Sequence, residues 1–189
     1  DIGVMRVTGF KRVLFRSCEY VYGSIDISTL RAFVMNKPAN GGSSLQWHQD
    51  RWNFLEPDPR ITVWTALDTT TVANGCVQII PGSHRWGVIN PQDPAGFLTQ
   101  QQMQEHCDPA EAVHVELEAG QAVLLHNWLL HRSDVHRTGI PRRGLSVCYM
   151  DRPTCDSRPQ EPRGHVYDPG GCPHVCGPGA LRPEALASA

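Results

Sequence analysis

A histidine and an aspartate, His48 and Asp50, stand two residues apart in Trp47-His-Gln-Asp50. Residues i and i+2 of a strand share a face. This spacing therefore lets one imidazole and one carboxylate reach a single cation from a rigid backbone. A later histidine would complete a facial triad, the ligand set of non-heme Fe(II) oxygenases, which leaves coordination positions open. A His-x-Asp triplet alone is common among surface polar residues, so the third donor decides. His126 and His131 are the candidates, in Leu124-Leu-His-Asn-Trp-Leu-Leu-His131. On a continuous strand two residues five apart face opposite ways, so at most one of them is a ligand. Arg142 follows eleven residues after His131. Across a turn its guanidinium could sit opposite the metal and grip a carboxylate in two-pronged fashion; a surface or salt-bridging arginine is the plainer alternative.

The elements that must position these groups read as short strands. Leu30, Ala32 and Val34 alternate with Arg31, Phe33 and Met35, a period of two. Residues 38–44 form a loop by composition. Ile61–Leu67 is rich in β-branched and aromatic residues and reads as a strand. Asn74-Gly75 marks a tight turn before a strand at Cys76–Ile80, which Pro81-Gly82 ends. Residues 90–111 read as a loop with one short helix among the helix formers of 100–105. Val113, Val115 and Leu117 alternate; 118–121 is a turn; Ala122–His126 and Leu145–Met150 are strands. Many short strands without a strong helix argue for a sandwich or barrel.

The chain has 189 residues, 40% hydrophobic and 19% charged, with a net charge of −2. That is the composition of one globular domain. No basic excess points to nucleic acid or to an anionic membrane, and no apolar run approaches the roughly 18 residues of a membrane span. Seven scattered cysteines argue against a secreted disulfide framework and for a reducing compartment, so a cytoplasmic location is expected. Fifteen arginines against two lysines suggest a GC-rich coding sequence. Residues 7–17 resemble a frameshifted translation of a sequencing-library adapter, most closely Arg12 to Ser17; a short native strand over Arg12 to Phe15 is the alternative. Residues 1–17 are therefore expected to be non-native, residues 18–158 to be a partial β-domain, and residues 159–189 to be a Pro/Gly-rich irregular tail. The chain is expected to be a fragment of environmental, bacterial origin.

The blocks Trp47-His-Gln-Asp50, Trp64-Thr-Ala-Leu67, Asn74-Gly-Cys76, Pro81-Gly-Ser-His-Arg85 and His131-x-Ser133 with Arg142 together resemble the phytanoyl-CoA dioxygenase family, in order, over about Ser28 to Asp151. The resemblance implies an all-β, cupin-like double-stranded β-helix (a jelly roll) with few short helices. It implies that His48, Asp50 and His131 bind Fe(II) and that Arg142 pairs with the distal carboxylate of 2-oxoglutarate, Ser133 assisting. Gln49 and Trp64 match positions beside that cosubstrate. The implied reaction consumes O₂ and 2-oxoglutarate, releases succinate and CO₂, and hydroxylates an unactivated C–H bond of a small molecule. Related halogenases replace the carboxylate ligand with a small residue, so Asp50 favours hydroxylation.

The segment before His48 is much shorter than in that family, and the family often has Asn at His136 and Asp at Gln121; neither of these is a ligand position. Two other readings stay open: another jelly-roll metalloenzyme, such as a cupin-type dioxygenase or isomerase, and an inactive fragment or binding module. His84 reads as architectural, His106 as solvated and His114 as outward-facing. Cys76 and Cys148 read as small core residues, and Cys172-Pro-His-Val-Cys176 as a poor zinc site lacking a fourth ligand.

Overall fold

The computed structural model describes residues 4–7, 17–24, 26–39, 41–151 and 155–156. The described residues form eleven strands: β1 Val4–Val7, β2 Ile27–Lys37, β3 Leu45–His48, β4 Leu55–Glu56, β5 Ile61–Ala66, β6 Val77–Ile79, β7 Val113–Val115, β8 Ala122–His126, β9 His131–Ser133, β10 Arg142–Asp151 and β11 Cys155–Asp156. Every pairing is antiparallel. A five-stranded sheet runs β1-β8-β5-β10-β2, a four-stranded sheet runs β3-β9-β6-β7, and β11 pairs with β4.

The two larger sheets close on a shared core. Trp64 of β5 and Val123 and Leu125 of β8 meet Val77 and Ile79 of β6 and Val115 of β7. Each fully buried aliphatic side chain of this kind is worth about 1.5–3 kcal/mol, so the two sheets hold one another. The outer face of the large sheet, through Ile61, Val63 and Leu124, packs on Cys18, Val21 and Tyr22 of a helical segment at 17–22, α1. The helix α2, Gln100–His106, starts with a capping box in which Thr99 and Gln102 satisfy each other's backbone N–H groups. Its Met103 packs on Trp47, Ile80 and Leu130. This is the double-stranded β-helix that the block order implies.

The strand limits differ from the sequence reading in informative ways. The final strand starts at Arg142 and runs to Asp151, because Gly144 lets β10 pass under the Trp64 ring: a Cβ there would lie 2.2 Å from Trp64 Cζ2. Strand β1 lies within the stretch expected to be non-native; it pairs along the edge of β8, and an open strand edge templates backbone pairing with little demand on sequence. The Arg12–Phe15 alternative and the Cys172–Cys176 cluster lie outside the described residues.

Candidate metal and cosubstrate site

The donor residues are brought together by strand register. His48 at the end of β3 lies directly opposite His131 at the start of β9, and facing residues of an antiparallel pair hold their Cβ atoms about 4.5–5.5 Å apart. Their ring centroids are 4.1 Å apart. Asp50 lies just past the strand rather than on it; its N–H donates to Asn127 O at 2.7 Å, which keeps the carboxylate turned toward His48, with Oδ1 3.8 Å from Nε2. One ligand atom from each of His48, Asp50 and His131 lies within 4.8 Å of the others. His126 is excluded for a different reason than strand parity. It ends β8 in the large sheet, and residues 127–130 turn the chain across to β9 in the small one.

The tautomers of both imidazoles are set. His48 Nδ1 faces Gln46 O at 2.8 Å and His131 Nδ1 faces Leu129 O at 2.8 Å. A carbonyl only accepts, so both Nδ1 atoms carry the proton and both Nε2 lone pairs are free for a cation. Burial, reinforced by the neighbouring His131, pushes His48 down to about 4, so the ring is neutral at pH 7, as a metal ligand must be. Phe97 stacks on His48 with ring centroids 5.0 Å apart. Two neutral nitrogens and one carboxylate form a donor set that suits a ferrous ion.

The triad opens into a cavity of about 330 Å³ whose wall includes Trp64, Ser133 and Arg142. Along β6, Ile79 lies opposite His131 and Val77 opposite Ser133. Just before the strand, Gly75 gives its carbonyl to Arg142 Nη2. Gly75 has φ +75°, and a Cβ there would lie 2.4 Å from Asp134 O, so only glycine lets this turn sit close enough to receive the guanidinium. Arg142 is 1% exposed, its Nε has no hydrogen-bond partner, and among the described residues no carboxylate forms an ion pair with it. Burial pushes its guanidinium down from the ordinary value. A buried cation without an anion is costly, and a carboxylate ligand would relieve that cost.

Gln49 does not join this wall. Its Nε2 donates to Gly87 O and Trp128 O, both at 2.8 Å, and its Oε1 accepts from Ile89 N at 2.9 Å. The whole amide is spent on fastening loop backbone at Gly87, Ile89 and Trp128. His136 is buried and bonded to Ile140 O at 2.7 Å, away from the triad. Wall residues that escaped the sequence reading include Phe97, hidden in a polar loop, Thr62 and Arg31. The signal for Arg31 was an arginine on one of the two faces of an alternating strand.

The chain is similar to known proteins in sequence and fold. The phytanoyl-CoA dioxygenase (PhyH) family matches residues 10–144. A probable phytanoyl-CoA dioxygenase of Caenorhabditis elegans is 29% identical over 165 residues, covering 76% of this chain and 52% of its own. The non-heme monooxygenase ThoJ, solved as a nickel complex, has a TM-score of 0.62 at 27% identity, covering 78% of this chain and 53% of its own. The epimerase SnoN, solved with Fe3+, alpha ketoglutarate and nogalamycin RO, has a TM-score of 0.64 at 25% identity, covering 82% of this chain and 64% of its own. The chain thus spans about half the length of the curated relative. It belongs to the phytanoyl-CoA dioxygenase (PhyH) family.

Proposed function

We propose that this chain carries the catalytic domain of a 2-oxoglutarate-dependent hydroxylase acting on an unactivated C–H bond of a small molecule, with His48, Asp50 and His131 as metal ligands. One observation carries the reading: a single cavity holds three convergent metal donors and a buried arginine that lacks an anion. Fe(II) with 2-oxoglutarate supplies the oxidising power, releasing succinate and CO₂ as O₂ is consumed.

The chain's own part is placement. Arg142 anchors the distal carboxylate, Ser133 lends a hydroxyl beside it, and the Trp64 ring forms the wall between Arg142 and the substrate space. The guanidinium lies 5.4 Å from that ring, a contact that holds its plane while leaving the unpaired Nε for the carboxylate. Phe97 and Leu125 on the cavity wall keep bulk water from the donors, which strengthens each charge interaction inside. Asp50 fills a ligand position with a carboxylate, which suits transfer of oxygen to carbon.

The catalytic unit in this reading is residues 18–158, and the location is cytoplasmic, in keeping with Cys18, Cys76, Cys107 and Cys148, all buried and unbonded. The test is succinate formation from 2-oxoglutarate by the Fe(II)-loaded chain. Turnover that vanishes in Asp50→Ala is expected; wild-type rates in that variant would overturn the ligand assignment. SnoN is an epimerase, so outcome needs its own readout. With ¹⁸O₂, label in the product supports hydroxylation, and product without label contradicts it.

A further inference from the structure

The stripe of β2 that faces the cavity is Arg31, Phe33 and Met35, with Arg31 and Phe33 exposed at its mouth, while the apolar Val34 lies on the other face and is 58% exposed. An ordinary half-buried strand does the reverse, with charge outside, and a strand that breaks the pattern does so most often at a functional site. Register fixes where the arginine lies. Arg142 faces Lys37, Gly144 faces Met35, Ser146 faces Phe33 and Cys148 faces Arg31. Six residues of strand therefore put Arg31 roughly 20 Å from Arg142 at about 3.3 Å per residue, at the opposite end of the cavity from the cosubstrate anchor.

Two further features belong to that end. The Arg31 guanidinium lies over the Phe33 ring at 4.6 Å and the Trp52 ring at 5.2 Å. Rings that take up the faces of a guanidinium leave its in-plane N–H edge for a ligand. Across β10, Cys148 also faces Thr62 of β5. Thr62 is 4% exposed, lies on the cavity wall, and its hydroxyl has no hydrogen-bond partner beyond the weak Cys148 thiol. Asp50 is the one carboxylate among the described wall residues, and it belongs to the metal donors. Of the other cations on the wall besides Arg142, Arg51 is paired with Asp58 at 3.2 Å, and Arg132, next to the metal donor His131, donates to Gln78 Oε1 at 2.9 Å and lies over the Trp47 ring. Among the described residues, that end of the cavity therefore offers one positive charge with no carboxylate partner and one buried hydroxyl.

We propose that Arg31, with Thr62 across Cys148 on the second strand over, binds a carboxylate of the prime substrate and so sets which carbon faces the metal. This deepens the hydroxylase reading and rests on it. A single guanidinium flanked by rings matches a singly charged carboxylate next to an apolar or aromatic body better than a phosphate, whose charge would call for a second free cation.

The test is equilibrium binding of phenylacetate to the full chain, read by tryptophan fluorescence and calorimetry, beside phenylacetamide and phenyl phosphate. Wild type is expected to bind phenylacetate at least tenfold more tightly than phenylacetamide or phenyl phosphate. Arg31→Gln should abolish that preference, and Arg31→Lys should restore part of it. Thr62→Val should weaken phenylacetate severalfold. Binding of Mn(II) with 2-oxoglutarate should stay at the wild-type level in Arg31→Gln, which also shows that the variant is folded. The proposal is overturned by acid and amide binding alike in wild type, by an Arg31-dependent preference for the phosphate, by phenylacetate binding that depends on Arg142 instead, or by equal loss of metal and acid in Arg31→Gln. Failure of the hydroxylase reading shows separately, as absent succinate formation by the wild-type chain.

Discussion

Two pairs of imidazoles lie together among the described residues, and they differ in almost everything except proximity. His48 and His131 have ring centroids 4.1 Å apart, and His84 and His126 5.2 Å apart. Burial depresses a member of each pair to about 4, His48 in the first and His126 in the second. In the first pair both Nδ1 protons are held by carbonyls two residues back on the chain, so both lone pairs point at one place beside Asp50. In the second, His126 Nδ1 is consumed by the N–H of Trp128 at 3.1 Å, and His84 Nδ1 is buried without a partner. Among the described residues no carboxylate or cysteine completes a metal-ligand group with them. Burial and a lowered pKa do not by themselves make a metal site; orientation of the lone pairs and one anion do.

Removing one member of each pair should break that comparison most sharply. His131→Ala should lower 2-oxoglutarate turnover by roughly a thousandfold or more, since loss of a mere outer-shell partner already costs about 10–100-fold. His126→Ala should stay within a few-fold. Steady-state succinate release checks both, and equal losses would erase the distinction. Next in size is Arg142→Gln. A charge-assisted hydrogen bond is worth about 1.5–3 kcal/mol, so 2-oxoglutarate affinity should fall by roughly 10–100-fold while metal affinity holds; isothermal titration separates the two.

The turn that carries the chain from one pair to the other gives a third test. Leu129 is fully buried in the core between the sheets, and its N–H donates to His126 O at 2.9 Å. Leu129→Ala should cost about 2–5 kcal/mol by cavity formation, read as a lower denaturant midpoint with an unchanged slope.

The smallest effect is in pH. The folded-state value of His126 lies below the unfolded imidazole value, so the unfolded chain binds the extra proton first as pH falls. Stability from this residue is complete above about 6.5 and is lost as pH drops toward 4, on the order of 2 kcal/mol in all. His126→Gln should flatten the denaturant midpoint over that window. A variant that keeps the wild-type slope would assign the effect to other groups.

Much of this was legible in residue order. His48 and Asp50 announce themselves by spacing, the strand read over Ile61–Leu67 by its β-branched and aromatic residues, and Ala122–His126 as a short run after a turn; the structure forms them at Ile61–Ala66 and Ala122–His126. The choice between His126 and His131 was not settled by parity, because that argument assumes an unbroken strand, and Asn127–Leu130 instead turns the chain between two sheets. The resemblance placed Gln49 beside the cosubstrate, and its amide instead ties down Gly87, Ile89 and Trp128, a set of loop contacts that residue order does not reveal. The inward turn of Arg31 could not be read either. Period two fixes that 31, 33 and 35 share a face, but which face meets the core depends on pairing with β10, a non-local fact.

The most direct measurement is a crystal of the chain grown with Mn(II) and 2-oxoglutarate, phased at the manganese edge. The account predicts one anomalous peak at about 2.0–2.2 Å from His48 Nε2, His131 Nε2 and an Asp50 oxygen, with a 2-oxoglutarate carboxylate on Arg142. A peak between His84 and His126, or none near Asp50 in crystals that hold manganese elsewhere, would contradict it.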